Sequence, residues 1–306
     1  MSEALPAWWA IPIALGFGGL GIATAAAADF IGSAPARSLP RSFSAPFRES
    51  ARLLRQPAPR TVAADLLLWR CATSSFVPIS FAMVALVPLG TAALVAMPLG
   101  IVWFNTLDVT VWAAVWLTGW GANSAYSLIG GYRFLGMALA YELPLMFALV
   151  APAVAASSLD PAVVAASQSG VWYVVWMPVA FVVYCVGVLG FSMQGFMSAP
   201  VSDDIAGGAV VEVSGVDRLL VESGRWLLLV AGAAFAVPLF LGGGSGPVLP
   251  APVWVVLKTG LMAIVLVTVS RRLPVLRPDL FVEIGWTILL PAVVLQDLVV
   301  GLVASQ

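Results

Sequence analysis

Eight apolar stretches, each close to the length of a bilayer crossing, constrain this chain more than anything else in it. They run Trp8–Ala28, Arg70–Gly90, Pro98–Trp120, Phe134–Ala156, Val171–Phe191, Glu222–Leu241, Pro252–Ser270 and Phe281–Ala304. Crossing the hydrocarbon core takes about 20 helical residues. A backbone there must satisfy its own hydrogen bonds, which helices do within one segment. The expectation is an all-α integral membrane protein: a bundle of about eight transmembrane helices forming a single polytopic membrane domain over residues 1–306. Composition agrees, with 61% hydrophobic and 9% charged residues, against about 25% charged in a soluble domain. The first stretch has no basic residue before it and is long for a signal peptide, so it reads as a retained span. Pro144 and Pro178 are expected to kink their helices.

The arginines order these spans. Arg37, Arg41, Arg48, Arg52, Arg55 and Arg60 follow the first stretch. Arg133 ends the third connection, Arg218 and Arg225 sit in the fifth, and Arg271, Arg272 and Arg277 in the seventh. The second, fourth and sixth connections carry no basic residue. The positive-inside rule then makes the odd connections cytoplasmic and puts both termini on the periplasmic side of a bacterial inner membrane.

Two cytoplasmic segments exceed what a connector needs. Phe43–Gln56 places Phe47, Ala51 and Leu54 at helical spacing, with Arg48, Arg52 and Arg55 on the adjoining face. This is the pattern of a basic amphipathic helix lying at the interface; contact with anionic lipid and docking of a partner both fit it. The fifth connection, Ser192–Val221, is instead acidic: Asp203, Asp204, Glu212 and Asp217 outnumber Arg218. Partner contact, proton collection or a plain solvated loop would each account for that.

Ionisable groups inside the spans are costly and point to function. Glu142 lies about nine residues into its span from Phe134, close to mid-membrane at 1.5 Å per residue. It is a candidate to load and release a proton, or else a neutral acid that clips two helices together. Asp108 and Asp297 are buried in other spans. Lys258, the chain's one lysine, fits either snorkelling to the interface or a place on a proton path. Arg218, Glu222 and Arg225 share one helix face, as an ion network or as a means of poising Glu222. Asp65 and Arg70 are placed to form a local ion pair. Gly242, Gly243 and Gly244 read as a flexible connector.

Other functions are excluded. There is no histidine, so the commonest metal ligand and general base is missing. Cys71 and Cys185 are too few for an iron–sulfur cluster and read as small buried hydrophobes. No nucleophile–base set, phosphate loop or nucleic-acid surface is present, and no internal inverted repeat suggests a secondary transporter. The chain is expected to hold no cofactor and no metal, and to have no catalytic centre of its own.

Four stretches, in order, resemble one family. Ala51-Arg52-Leu53-Leu54-Arg55-Gln56 is similar to its "LLR" helix. Gly119–Glu142 matches in Gly-Trp, Asn-Ser, Tyr, Arg and Tyr-Glu. Glu212, Ser214, Gly215 and Asp217 resemble its "E-x-SG" stretch, and Pro274, Arg277, Asp279 and Gly285-Trp286 its "P-x-x-R-x-D…GW". The family is the membrane-anchor subunit shared by complex I (its subunit 1) and the energy-converting [NiFe] hydrogenases of formate hydrogenlyase type. The resemblance implies a noncatalytic subunit linking a soluble electron-transfer arm to proton or Na⁺ translocation. Its implied partners are soluble iron–sulfur and hydrogenase-like large subunits, and antiporter-like membrane subunits. Iron–sulfur clusters, and in one branch nickel, would belong to those partners. The implied polar path takes in Glu142, Asp108, Glu212, Asp217, Glu222, Lys258 and Asp297. The implied partner face takes in Arg52, Arg55, Arg133, Asp203, Asp204, Arg218, Arg225, Arg277 and Asp279.

Residues 32–41 lack the Arg-x-Gly-Pro wording expected of a quinone entry. Val213 stands in place of an aromatic, and Asp217 follows Ser214-Gly215 as in the hydrogenase branch. On these grounds the hydrogenase type is the leading expectation and a quinone-site subunit of an NADH-quinone oxidoreductase the alternative. An independent ion or solute transporter stands behind both.

Overall fold

The computed structural model describes residues 3–33, 39–90 and 92–304. Arg37 and its neighbours at 34–38 lie outside the described residues, and with them most of the first-loop wording. Helices account for nearly everything described: α1 Ala10–Ser33, α2 Leu39–Arg55, α3 Leu66–Ala85, α4 Gly100–Gly121, α5 Ala125–Ala156, α6 Pro161–Ser167, α7 Tyr173–Trp176, α8 Pro178–Phe191, α9 Gly215–Phe240, α10 Ala251–Arg272, α11 Pro278–Ile284 and α12 Leu290–Ala304. Extended pairing among the described residues is a two-residue parallel contact, Glu3–Ala4 against Ala92–Ala93.

Seven helices are long and apolar enough to cross a membrane, and the shorter apolar helix α8 joins them. The chain is an all-α, multi-pass membrane protein. The fifth predicted span is split. Met177 leaves helical geometry, and Pro178, which has no N–H to donate, opens α8. Pro144 behaves differently, since α5 runs through it without a break. That helix starts at Ala125, nine residues before the predicted span, and its 32 residues extend about 48 Å, well beyond a hydrocarbon core.

The bundle is built around α9. Of its most apolar window 83% is buried, against 11% for the last crossing, Pro278–Ala304. Gly224 lets α9 meet α3, where a Cβ would lie 2.3 Å from that of Phe76. The core beside α9 is aromatic: Phe104 of α4 stacks on Phe235 at 4.0 Å between ring centroids, and Tyr184 and Phe240 continue the column. Asp65 caps α3 through the Leu67 and Leu68 amides, and Asp160 caps α6. Capping takes up the carboxylate that sequence spacing assigns to an ion pair with Arg70: the first N–H groups of a helix have no partner of their own and lie closer to it.

The basic segment is helical as expected, but longer, over Leu39–Arg55. It keeps Leu53 buried while Phe47 and Leu54 are exposed. The acidic connection is a string of 3₁₀ turns packed on the start of α5. Gly130 makes that packing possible, because a Cβ there would lie 2.0 Å from the Ala209 nitrogen.

Candidate functional site: a buried carboxyl cluster and an arginine-rich face

Glu142 and Asp108 come together between α4 and α5. Asn105 stands three residues before Asp108 on the same face of α4. Its Nδ2 donates to Glu142 Oε1 at 2.8 Å. The Tyr141 hydroxyl approaches Asp108 Oδ1 at 3.4 Å. The two carboxyl groups are themselves within interaction range of each other. Asp108 is fully buried and Glu142 is 7% exposed. Asp108 Oδ2 and Glu142 Oε2 are enclosed without a hydrogen-bond partner. Buried polar atoms are nearly always paired, and one proton between these carboxyls would provide the missing donor. Gly190 of α8 holds the Tyr141 ring close, since a Cβ there would meet it at 2.7 Å.

The Arg218, Glu222 and Arg225 face is an ion network. Arg218 reaches Glu222 at 2.8 Å and Arg225 reaches it at 3.0 Å. Arg225 is buried and also donates to the Met193 carbonyl, while Arg218 donates to the Val210 carbonyl at 3.0 Å. Nearby, Ser124 donates to Glu212 at 2.8 Å, and Arg133 pairs with Asp204 at 2.7 Å. Ser202 donates to the Asp204 carboxylate, and this bond first, then Arg133, holds it below its usual range. Arg277 and Asp279 pair locally at 2.8 Å. Asp203 is exposed. Asp217 sits beside Arg60, Arg70 and Ser214.

Glu222 also borders a cavity of about 980 Å³ between α1, α2 and α9. Its wall is apolar at Gly18, Ile22 and Trp226 and polar at Asp29, Glu49 and Arg52. Glu49 and Arg52 pair at 2.5 Å, and the hydrogen bond from Arg52 keeps the Glu49 carboxyl below its usual range. Arg55 lines an open groove on the other side of α2.

Two candidates stand apart from the cluster. Both carboxyl oxygens of Asp297, in α12, are enclosed without a partner. Lys258 is spent on three backbone carbonyls after α9. Those bonds fix the glycine connector that sequence alone reads as flexible. Sequence reasoning missed Asn105, although its spacing from Asp108 was a signal, and missed the facing of Asp29, Glu49 and Glu222 across a cavity, for which no local signal exists. Among the described residues, no three histidine, cysteine, aspartate or glutamate side chains gather as a metal site.

The family model described as NADH dehydrogenase matches residues 30–301. The chain belongs to this family, that of complex I subunit 1. Among its relatives is a membrane component of the NADH-quinone oxidoreductase of Geobacter sulfurreducens, 29% identical over 87% of this chain and 84% of the relative. The corresponding NADH-quinone oxidoreductase component of Rhodopseudomonas palustris strain CGA009 is 34% identical over 64% of this chain and 62% of its own length. That of R. palustris strain BisB5 is 33% identical over 69% and 66%. These relatives carry the quinone-oxidoreductase name. They favour the alternative over the hydrogenase type that Val213 and Asp217 suggested, because a few loop positions weigh less than similarity over most of a chain.

Proposed function

We propose that this chain is the subunit 1-type membrane subunit of a quinone-reducing, complex I-like enzyme in a bacterial cytoplasmic membrane. It anchors a soluble iron–sulfur arm, offers an apolar quinone a chamber beneath that arm, and passes protonic charge toward antiporter-like membrane subunits. The observation that carries this reading is the cavity of about 980 Å³. Its volume is at the upper end of small-ligand pockets, and a largely apolar wall with a few polar groups is what such ligands take. The arginine-rich ends of the helices face the cytoplasm and both termini the other side, which the even number of crossings and the arginine distribution support.

Within this chain the residues bind and move protons rather than electrons. Glu222, held between Arg218 and Arg225, is an anionic wall beside the chamber. Protonation of the Asp108–Glu142 pair is a store of charge that shifts when the cavity's occupancy changes. Clusters belong to partner subunits.

The test is photoaffinity labelling of the intact complex with an azidoquinone, together with metal analysis. Labelling confined to α1, α2 and α9, with iron but no nickel, is the expected result. Nickel in the complex, with no quinone-competed label on this chain, would return it to the hydrogenase branch.

A further inference from the structure

The end of the bundle opposite the arginines is closed by a lysine. The Lys258 ammonium donates to the carbonyl oxygens of Leu241 at 2.7 Å, Gly243 at 2.9 Å and Ser245 at 2.9 Å. An ammonium has three donors and no acceptor, so its capacity is filled. The Trp172 ring lies 4.4 Å from Nζ, within cation–π range. The carbonyls converge because the backbone turns left-handed at Gly242 and Gly243, with φ of 67° and 55°.

Gln168, only 2% exposed, ties the same loop down from the other side. Its Nε2 donates to the Pro238 carbonyl at 2.7 Å and to that of Leu239 at 3.2 Å. Its Oε1 accepts from the Gly242 amide at 3.0 Å and the Tyr173 amide at 3.2 Å. The broken fifth crossing, α6 and the loop after α9 therefore meet at one node.

We propose that the Leu241, Gly243 and Ser245 carbonyls with the Trp172 ring are a receptor for one primary ammonium. Lys258 is its built-in occupant, and the filled receptor latches the loop across this end of the bundle. Three convergent carbonyls left empty in an apolar setting would repel one another and seek water, so emptying the receptor releases the loop. The site is separate from the carboxyl cluster and the cavity, and its role holds whether or not the chamber takes quinone.

Hydrogen–deuterium exchange of residues 241–250 in the full chain, purified in detergent, reads the latch. Lys258→Met keeps the stem and removes the donors; exchange there is expected to rise about tenfold, with the α4–α5 peptides unchanged. Lys258→Ala should behave alike, and millimolar n-propylammonium should restore wild-type exchange. Tetramethylammonium, which has no N–H donor, should not. Gly243→Ala opens the loop with the lysine intact, because its Cβ would lie 2.8 Å from that of Ala165; it serves where a lysine variant fails to fold. Wild-type exchange in Lys258→Met or Gly243→Ala, or equal rescue by both ammonium ions, would overturn the proposal.

Discussion

At the residue scale the chain's chemistry rests on a few polar atoms placed where they are costly. Glu142 was legible in the sequence because a carboxylate in an apolar span stands out. Its partners were not, because the pairing of Asn105 and Asp108 with Glu142 depends on which faces of α4 and α5 meet. Glu142→Gln and Asp108→Asn are expected to leave assembly and electron transfer in place while cutting proton translocation per electron to about a tenth or less. Proton uptake by reconstituted complex against its redox rate checks this, and full coupling in both variants would remove the cluster from the path. Arg225 makes a different prediction. Arg225→Met leaves Glu222 with one partner and the Met193 carbonyl without its donor, and breaking a buried pair costs about 3–5 kcal/mol. Thermal unfolding in detergent should fall accordingly, with part of the loss recovered in the Arg225→Met/Glu222→Met double variant. Independent, additive losses would mean that the network is not a unit.

At the scale of elements, the sequence announced the spans through their apolarity and the basic helix through its period. It did not announce the break at Met177, because a proline reads equally well as a kink in a continuous helix or as the first residue of a new one. Pro144 and Pro178 took those two outcomes, and the surrounding packing separates them. The acidic connection was legible as acidic, but its docking on α5 depends on Gly130, whose bare Cα has no signature of its own. Gly130→Val is expected to lift the 3₁₀ turns off α5 at a cost of about 1–3 kcal/mol, read as protease cleavage near residue 205 of the folded chain. The same segment has a pH dependence. The Asp204 carboxyl is lowered by Ser202 and Arg133, so its contribution is complete above the ordinary aspartate pKa of about 3.9. It is lost as pH falls through the lower folded value. Exchange of residues 202–208 should be flat from neutral pH to about 5 after correction for intrinsic rates, and rise below about 4. A rise centred near neutrality would assign the tether to another group.

At the scale of the whole molecule, the cavity and the carboxyl cluster are separate places joined by packed helices. Composition showed that the chain is membrane-embedded, and the ordered motifs gave its family. The cavity was invisible because it is assembled from α1, α2 and α9, which are remote in sequence. It can be blocked without touching the cluster. Gly18 lines the cavity, and nothing lies within 4 Å of where its Cβ would be, so Gly18→Phe projects a ring into space rather than into neighbouring packing. Charges at Asp29, Glu49 and Glu222 are unaltered by the change, as are Asp108 and Glu142. A quinone that must enter this space loses room, and reduction of a hydrophobic quinone by the assembled complex should fall about tenfold, or 1.4 kcal/mol in effective binding. Electron transfer to a water-soluble acceptor, served from the soluble arm, should keep its rate, and the unfolding temperature should stay that of the wild type. Equal loss with both acceptors would mean that the substitution disturbed how the arm sits on its anchor. Undiminished quinone reduction would mean that the ligand takes another route, and the cavity would then be a space occupied by lipid.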